Sequence, residues 1–160
     1  MPADVAAVEK KIFSTFAEVA AAIGYSPLHG QIIGVLLVRG KALSLQELTK
    51  ETGYSPSMLS LSLDLLEVLG VVKKVKKTAD RKLYVELHGD LLEALKNAVV
   101  VRLSKSVASS LQEFAEGKQA LRGQRGQEAQ QVLQTINTLE EQIRRLKVYV
   151  DLLASTGLPK

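Results

Sequence analysis

Between Gly70 and Asp90 the chain abandons the helical spacing that governs the rest of it, and this one interruption limits the folds open to it. Val71-Val72-Lys73-Lys74-Val75-Lys76-Lys77 is β-branched and basic, and Leu83-Tyr84-Val85-Glu86-Leu87 alternates apolar with polar residues. Thr78-Ala79-Asp80-Arg81 lies between them as a turn, so the segment predicts a β-hairpin. A two-stranded hairpin is marginal in water by itself, and this one needs helices to cover its apolar face. Six of the 21 Lys and Arg residues fall between Lys73 and Lys82, the densest charge feature of the chain.

The preceding segments supply those helices. Val8, Ile12, Phe16, Val19 and Ile23 recur at spacings of four and three, which predicts a helix with one apolar stripe ending at Gly24. Ser26-Pro27 then offers a cap and a first-turn proline for a second helix that buries Leu28, Ile32 and Leu36 and closes at Gly40. Ser44 with Glu47 three residues later reads as a capping box for a short third helix stopping at Gly53. Ser55-Pro56 opens a fourth, whose core side is Leu59, Leu63, Leu66 and Leu69.

Beyond the hairpin the pattern is helical again. Asp90 is placed to cap a fifth helix reaching about Ala115, and the glycines from Gly117 to Gly126 predict a bend or loop. Val132, Ile136, Leu139, Ile143, Leu146, Val150 and Leu153 then alternate spacings of four and three, a coiled-coil seam of about three heptads. A stripe that long needs a cover, and a second copy of the chain is favoured over folding back on the same chain or a different partner chain. The expected architecture is mainly α with a small β-hairpin. It divides into an N-terminal helix (1–23), a winged helix-turn-helix domain (24–90) and a helical dimerisation region (91–160).

Composition closes several functional classes. With no cysteine there are no disulfides, thiolate metal sites or thiol nucleophiles. His29 and His88 have no second ligand at metal-binding spacing, no serine lies in a nucleophile elbow, and no glycine-rich phosphate loop is present. The reading is a non-enzyme with no metal and no cofactor. No apolar run approaches the roughly 20 residues of a bilayer span, and the first residues lack a signal-peptide pattern, so the expected location is cytoplasmic with no membrane partner.

Two short helices joined at a glycine and followed by a basic hairpin form a winged helix-turn-helix, whose second helix enters the DNA major groove. Its outward, N-terminal residues are the candidates for base contact: Ser55, Ser57, Met58, Ser60, Leu61 and, at the margin, Ser62. Serine hydroxyls read bases permissively, and Met58 and Leu61 are suited to thymine methyls. The wing supplies phosphate or minor-groove contacts through Lys73, Lys74, Lys76, Lys77, Arg81 and Lys82. The partner expected is double-stranded DNA, bound by a homodimer on a palindromic site. An architectural DNA-coating protein and a protein-interaction module are the alternatives.

The stretch Gly24-Tyr25-Ser26-Pro27-Leu28-His29-Gly30-Gln31-Ile32-Ile33-Gly34-Val35-Leu36-Leu37 resembles the second-helix signature of GbsR-type regulators, relatives of the MarR group. Leu43-Ser44-Leu45-Gln46-Glu47-Leu48, Gly53-Tyr54-Ser55, Ser60, Leu65-Leu66-Glu67, Leu69-Gly70-Val71-Val72 and Asp80-Arg81-Lys82 continue the likeness, which spans Gly24 to Leu87. It implies a dimeric winged-helix transcriptional regulator, often a repressor, and suggests a small-molecule effector for which the residues define no pocket. Two positions depart from the pattern: Gln31 stands where Arg is frequent, and Asp64 where a base is common. The recognition helix therefore holds no Lys or Arg from Ser55 to Leu69.

Overall fold

The computed structural model describes residues 4–77 and 80–160. Helices α1 (Val5–Ala22) and α2 (Pro27–Arg39) precede a two-residue strand, β1 (Leu43–Ser44), and the short helices α3 (Leu45–Thr52) and α4 (Pro56–Val68). Strands β2 (Val72–Lys76) and β3 (Leu83–Leu87) follow, and then the long helices α5 (Leu91–Ala120) and α6 (Gln127–Ser155). Two compact units result, Met1–Leu95 and Lys96–Lys160, with the boundary inside α5. Among the described residues no helix is long and apolar enough to cross a membrane.

The caps read from sequence are formed. Ser26 Oγ accepts from the Leu28 amide at 3.3 Å, Ser44 Oγ from Glu47 at 3.1 Å and Ser55 Oγ from Met58 at 3.3 Å. Each satisfies an amide that the first helical turn leaves without a backbone partner. Gly53 joins α3 to α4 at φ 76°, a left-handed conformation open to glycine at little cost.

The sheet is antiparallel in the order β1-β3-β2, so the hairpin gains a third strand too short to be read from sequence. Val72 pairs with Leu87, Lys74 with Val85 and Lys76 with Leu83 on one face, while Lys73 with Glu86 and Val75 with Tyr84 take the other. Val72 and Val85 on the first face enter a core completed by Ile32 and Leu36 of α2, Leu48 of α3 and Leu59, Leu63 and Leu66 of α4. Of the predicted turn, Thr78 and Ala79 lie outside the described residues.

Helix α1 meets α2 through glycines. A Cβ on Gly30 would fall inside the van der Waals envelope of the Phe16 carbonyl, and one on Gly34 would stand 3.3 Å from Phe13. The backbones touch because no side chain separates them. This turns α1 relative to the expected stripe: Ala20 is buried and Phe13 packs on the core, while Val8 and Val19 stay exposed. At the other end of α2, Arg39 reaches two helices at once. Its Nε and Nη2 donate to Glu51 of α3 at 2.8 and 3.0 Å, and its Nη1 donates to Glu9 of α1 at 3.1 Å. The two carboxylates hold the guanidinium pKa above its ordinary value, Glu51 contributing most.

In the second unit α5 and α6 run antiparallel. Lys96 Nζ donates to the Thr156 carbonyl at 2.8 Å at one end, and Lys118 pairs with Glu140 towards the other. Helix α5 continues to Ala120, past the break expected at Gly117, because that glycine makes room for Ile136 of α6, whose Cδ1 lies 3.1 Å from where a Cβ would stand. The cost of a helical glycine, about 1 kcal/mol relative to alanine, is set against that packing.

Gly30→Ala is expected to destabilise the first unit by about 1–3 kcal/mol, the range for overpacking against atoms that cannot yield. Gly34→Ala, whose Cβ would stand 3.3 Å from Phe13 and need a shift of only a few tenths of an ångström while gaining helix propensity, is expected to cost clearly less, within about 1 kcal/mol of the parent. Urea unfolding followed by circular dichroism checks this. Equal losses at the two positions would contradict the asymmetric approach.

Candidate nucleic-acid interface

Burial of Leu59, Leu63 and Leu66 fixes the opposite side of α4 by helical periodicity. Ser57, Met58, Ser60, Leu61, Asp64 and Val68 are exposed there, with Leu61 at 73% and Met58 at 49%. Ser55 precedes them as the cap, and its hydroxyl, having accepted the Met58 amide, retains a proton to donate. Ser62 does not belong to this face. At 5% exposure it lies on the inner side between Leu59 and Leu66, and its candidacy for base contact is withdrawn.

The acid that seemed misplaced on this helix has a partner in the sheet. Lys74 lies on the core face of β2, so its stem crosses towards α4 and its Nζ donates to Asp64 Oδ1 at 2.6 Å. Glu67 Oε1 stands 3.8 Å from the same ammonium. The bond to Asp64 is the main cause holding the Lys74 pKa above its ordinary value. Lys74 was expected to reach phosphate directly. In the free chain it instead pairs with two carboxylates of α4, unlike the other wing cations.

The other wing cations divide by partner. Lys73 makes a loose contact of 3.8 Å with Glu86 across the strand pair. Lys77 Nζ lies 4.2 Å from the centroid of the Tyr84 ring. Lys76, Arg81 and Lys82 are exposed and have no carboxylate at ion-pair distance among the described residues. Asp80 does not pair with its neighbour Arg81. Its Oδ2 accepts from the Tyr84 hydroxyl at 2.9 Å and its Oδ1 from the Lys82 amide at 3.0 Å. This brace from tip to strand was missed in the sequence, where Asp80 and Tyr84 fall on opposite sides of the turn boundary.

The second unit carries the expected seam, split in two. Ile136 and Ile143 are half-buried and Val150 is 3% exposed, on the side that α5 covers. Val132, Leu139, Leu146 and Leu153, seven residues apart, remain exposed as a separate line. Val150 is thus buried within one chain and is removed from the intermolecular set. Three of the seven stripe residues turn inward within one chain, which sequence periodicity cannot distinguish from a contact between chains.

Neither histidine is built into a site. The His29 ring makes a 3.2 Å contact from Nδ1 to the Ser26 carbonyl and meets Tyr25 edge-on, and burial lowers its pKa. Among the described residues no three metal-ligating side chains converge.

The chain matches no family model, and no curated protein matches it in sequence. Solved structures do resemble it. It is similar to a transcriptional regulator of known crystal structure with a TM-score of 0.63 and 18% identity, covering 92% of this chain and 96% of that one. It also aligns with Escherichia coli MarR in its apo form, at 14% identity and a TM-score of 0.43, covering 91% of this chain and 97% of that one. A mutant of Staphylococcus aureus MepR bound to an oligodeoxyribonucleotide aligns at 15% identity and a TM-score of 0.44, covering 88% and 94%. The fold is a winged helix.

Because Asp80 accepts first from Tyr84 and then from the Lys82 amide, its carboxyl pKa is held below the ordinary aspartate value. The brace is therefore complete at neutral pH and is lost only in acid, as pH falls through that lowered value. In Tyr84→Phe the Asp80 titration, followed by carboxyl NMR, is expected to move back up. An unchanged midpoint would show that the tyrosine is not its main partner.

Proposed function

We propose that the chain is a sequence-specific DNA-binding transcriptional regulator of the GbsR type within the MarR group, acting as a homodimeric repressor on a palindromic operator. One observation carries the reading: the exposed face of α4, the second helix of the helix-turn-helix, lies next to a wing whose Lys76, Arg81 and Lys82 are exposed and have no carboxylate at ion-pair distance among the described residues. The α4 face meets bases in the major groove, and the wing cations meet phosphates or the adjacent minor groove. The exposed line Val132, Leu139, Leu146 and Leu153 supports association of two copies, since hydrocarbon repeated every seven residues matches itself across a two-fold axis. Two recognition helices then enter successive grooves about 34 Å apart.

A second reading rests on the absence of Lys and Arg from α4: a DNA-coating protein whose affinity comes from the wing alone. Selection of bound duplexes from a random pool, with the mass of the complex measured alongside, separates the two. The proposed reading expects an enriched two-fold sequence bound by two chains. The second expects binding without enrichment.

Lys76→Gln and Arg81→Gln are expected to weaken all sequences alike and to lower the salt slope by about 0.9 for each phosphate that is no longer neutralised. Lys74→Gln is expected to act differently, by uncovering Asp64 and Glu67 towards the phosphates. Adding Asp64→Asn is therefore expected to recover much of the Lys74→Gln loss and none of the Lys76→Gln loss. Titrations at several salt concentrations read this directly, and equal behaviour of the two lysines would overturn the distinction.

A further inference from the structure

Resting on the reading of α4 as the groove-entering helix, we infer that its base recognition is a recognition of thymine methyl groups, made by Leu61 and Met58. The side chains that read purines by two hydrogen bonds are Arg or Lys for guanine and Asn or Gln for adenine. From Pro56 to Val68 the helix contains none of the four. A carboxylate can accept from the cytosine amino group, but Asp64, the acid on the outer face one turn beyond Leu61, already holds Lys74 at 2.6 Å, and the helix's other acid, Glu67, lies beyond the first two turns and 3.8 Å from the same ammonium. The hydroxyls of Ser57 and Ser60 can donate or accept and discriminate weakly.

What remains on that surface is hydrocarbon. Leu61 is 73% exposed and Met58 49%, three positions apart on adjacent turns of the face set opposite Leu59, Leu63 and Leu66. In the major groove the apolar group presented by a base edge is the C5 methyl of thymine. The ligand class is thus a duplex whose half-sites place thymines under the first two turns of α4, with no required guanine there. The methionine, unbranched and adaptable, tolerates variation in methyl position, whereas the branched leucine demands a fixed one.

The experiment uses the full chain and a duplex enriched from the random pool, synthesised with thymidine or with deoxyuridine at each half-site position. Deoxyuridine keeps the hydrogen-bonding edge and removes only the methyl. Binding by the parent chain is expected to fall about fourfold per contacted methyl, the equivalent of one buried CH₂-sized group. In Leu61→Ala and Met58→Ala the deoxyuridine penalty at the matching position is expected to vanish, and both side chains are exposed enough for the variants to fold. Equal binding of the two duplexes by the parent overturns the inference while leaving DNA binding intact. So does a deoxyuridine penalty that survives both substitutions, or a pool that yields bound DNA without enrichment. Failure to bind any duplex at low salt would instead overturn the proposed function itself, and the inference with it.

Discussion

The leucine face of α4 decides what the molecule can present. Leu59, Leu63 and Leu66 are almost wholly buried, and each fully buried leucine contributes roughly 1.5–3 kcal/mol of transfer free energy. Rotating the helix to expose another face would give up several of these at once. With about 100° between successive residues, the outward set is then fixed without any further contact. The sheet follows from the same core, because Val72 and Val85 anchor the hairpin strands against these helices.

On that scaffold, charge is distributed by strand register. Alternation sends Lys74 towards the core face, where its stem lies along apolar surface and its ammonium emerges at Asp64. Lys73, one residue earlier, takes the other face and faces Glu86. A run that reads as uniformly basic in sequence thus contains cations with different duties. The outermost ones are available to an external anion, and the innermost neutralises acids on its own neighbour.

Much of the fold was legible because local signals and periodicity agreed. Ser26, Ser44 and Ser55 cap where their spacing to the following helices placed them, and the leucine stripe of α4 faces inward as read. The errors share a physical cause: periodicity identifies a face but not what covers it. It could not show that Val150 is buried within one chain, nor that Gly30 and Gly34 draw α1 round so that Val8 and Val19 remain outside. Ser62 was misplaced because a marginal position on a helical wheel turns on a few degrees. The pairs Asp64–Lys74 and Asp80–Tyr84 link residues in different elements, and one sequence carries no signal for such a meeting.

The guanidinium of Arg39 has one more implication. A planar fork that serves Glu51 along one edge and Glu9 along another sets the spacing between those carboxylates by its own covalent dimensions. The N-terminal helix and α3 cannot drift apart without one acid losing its partner. The first helix in the chain, which contributes few fully buried side chains, is in this way clamped to the α3–α4 pair by a rivet of fixed gauge, and an ammonium at position 39 has no second edge with which to hold it.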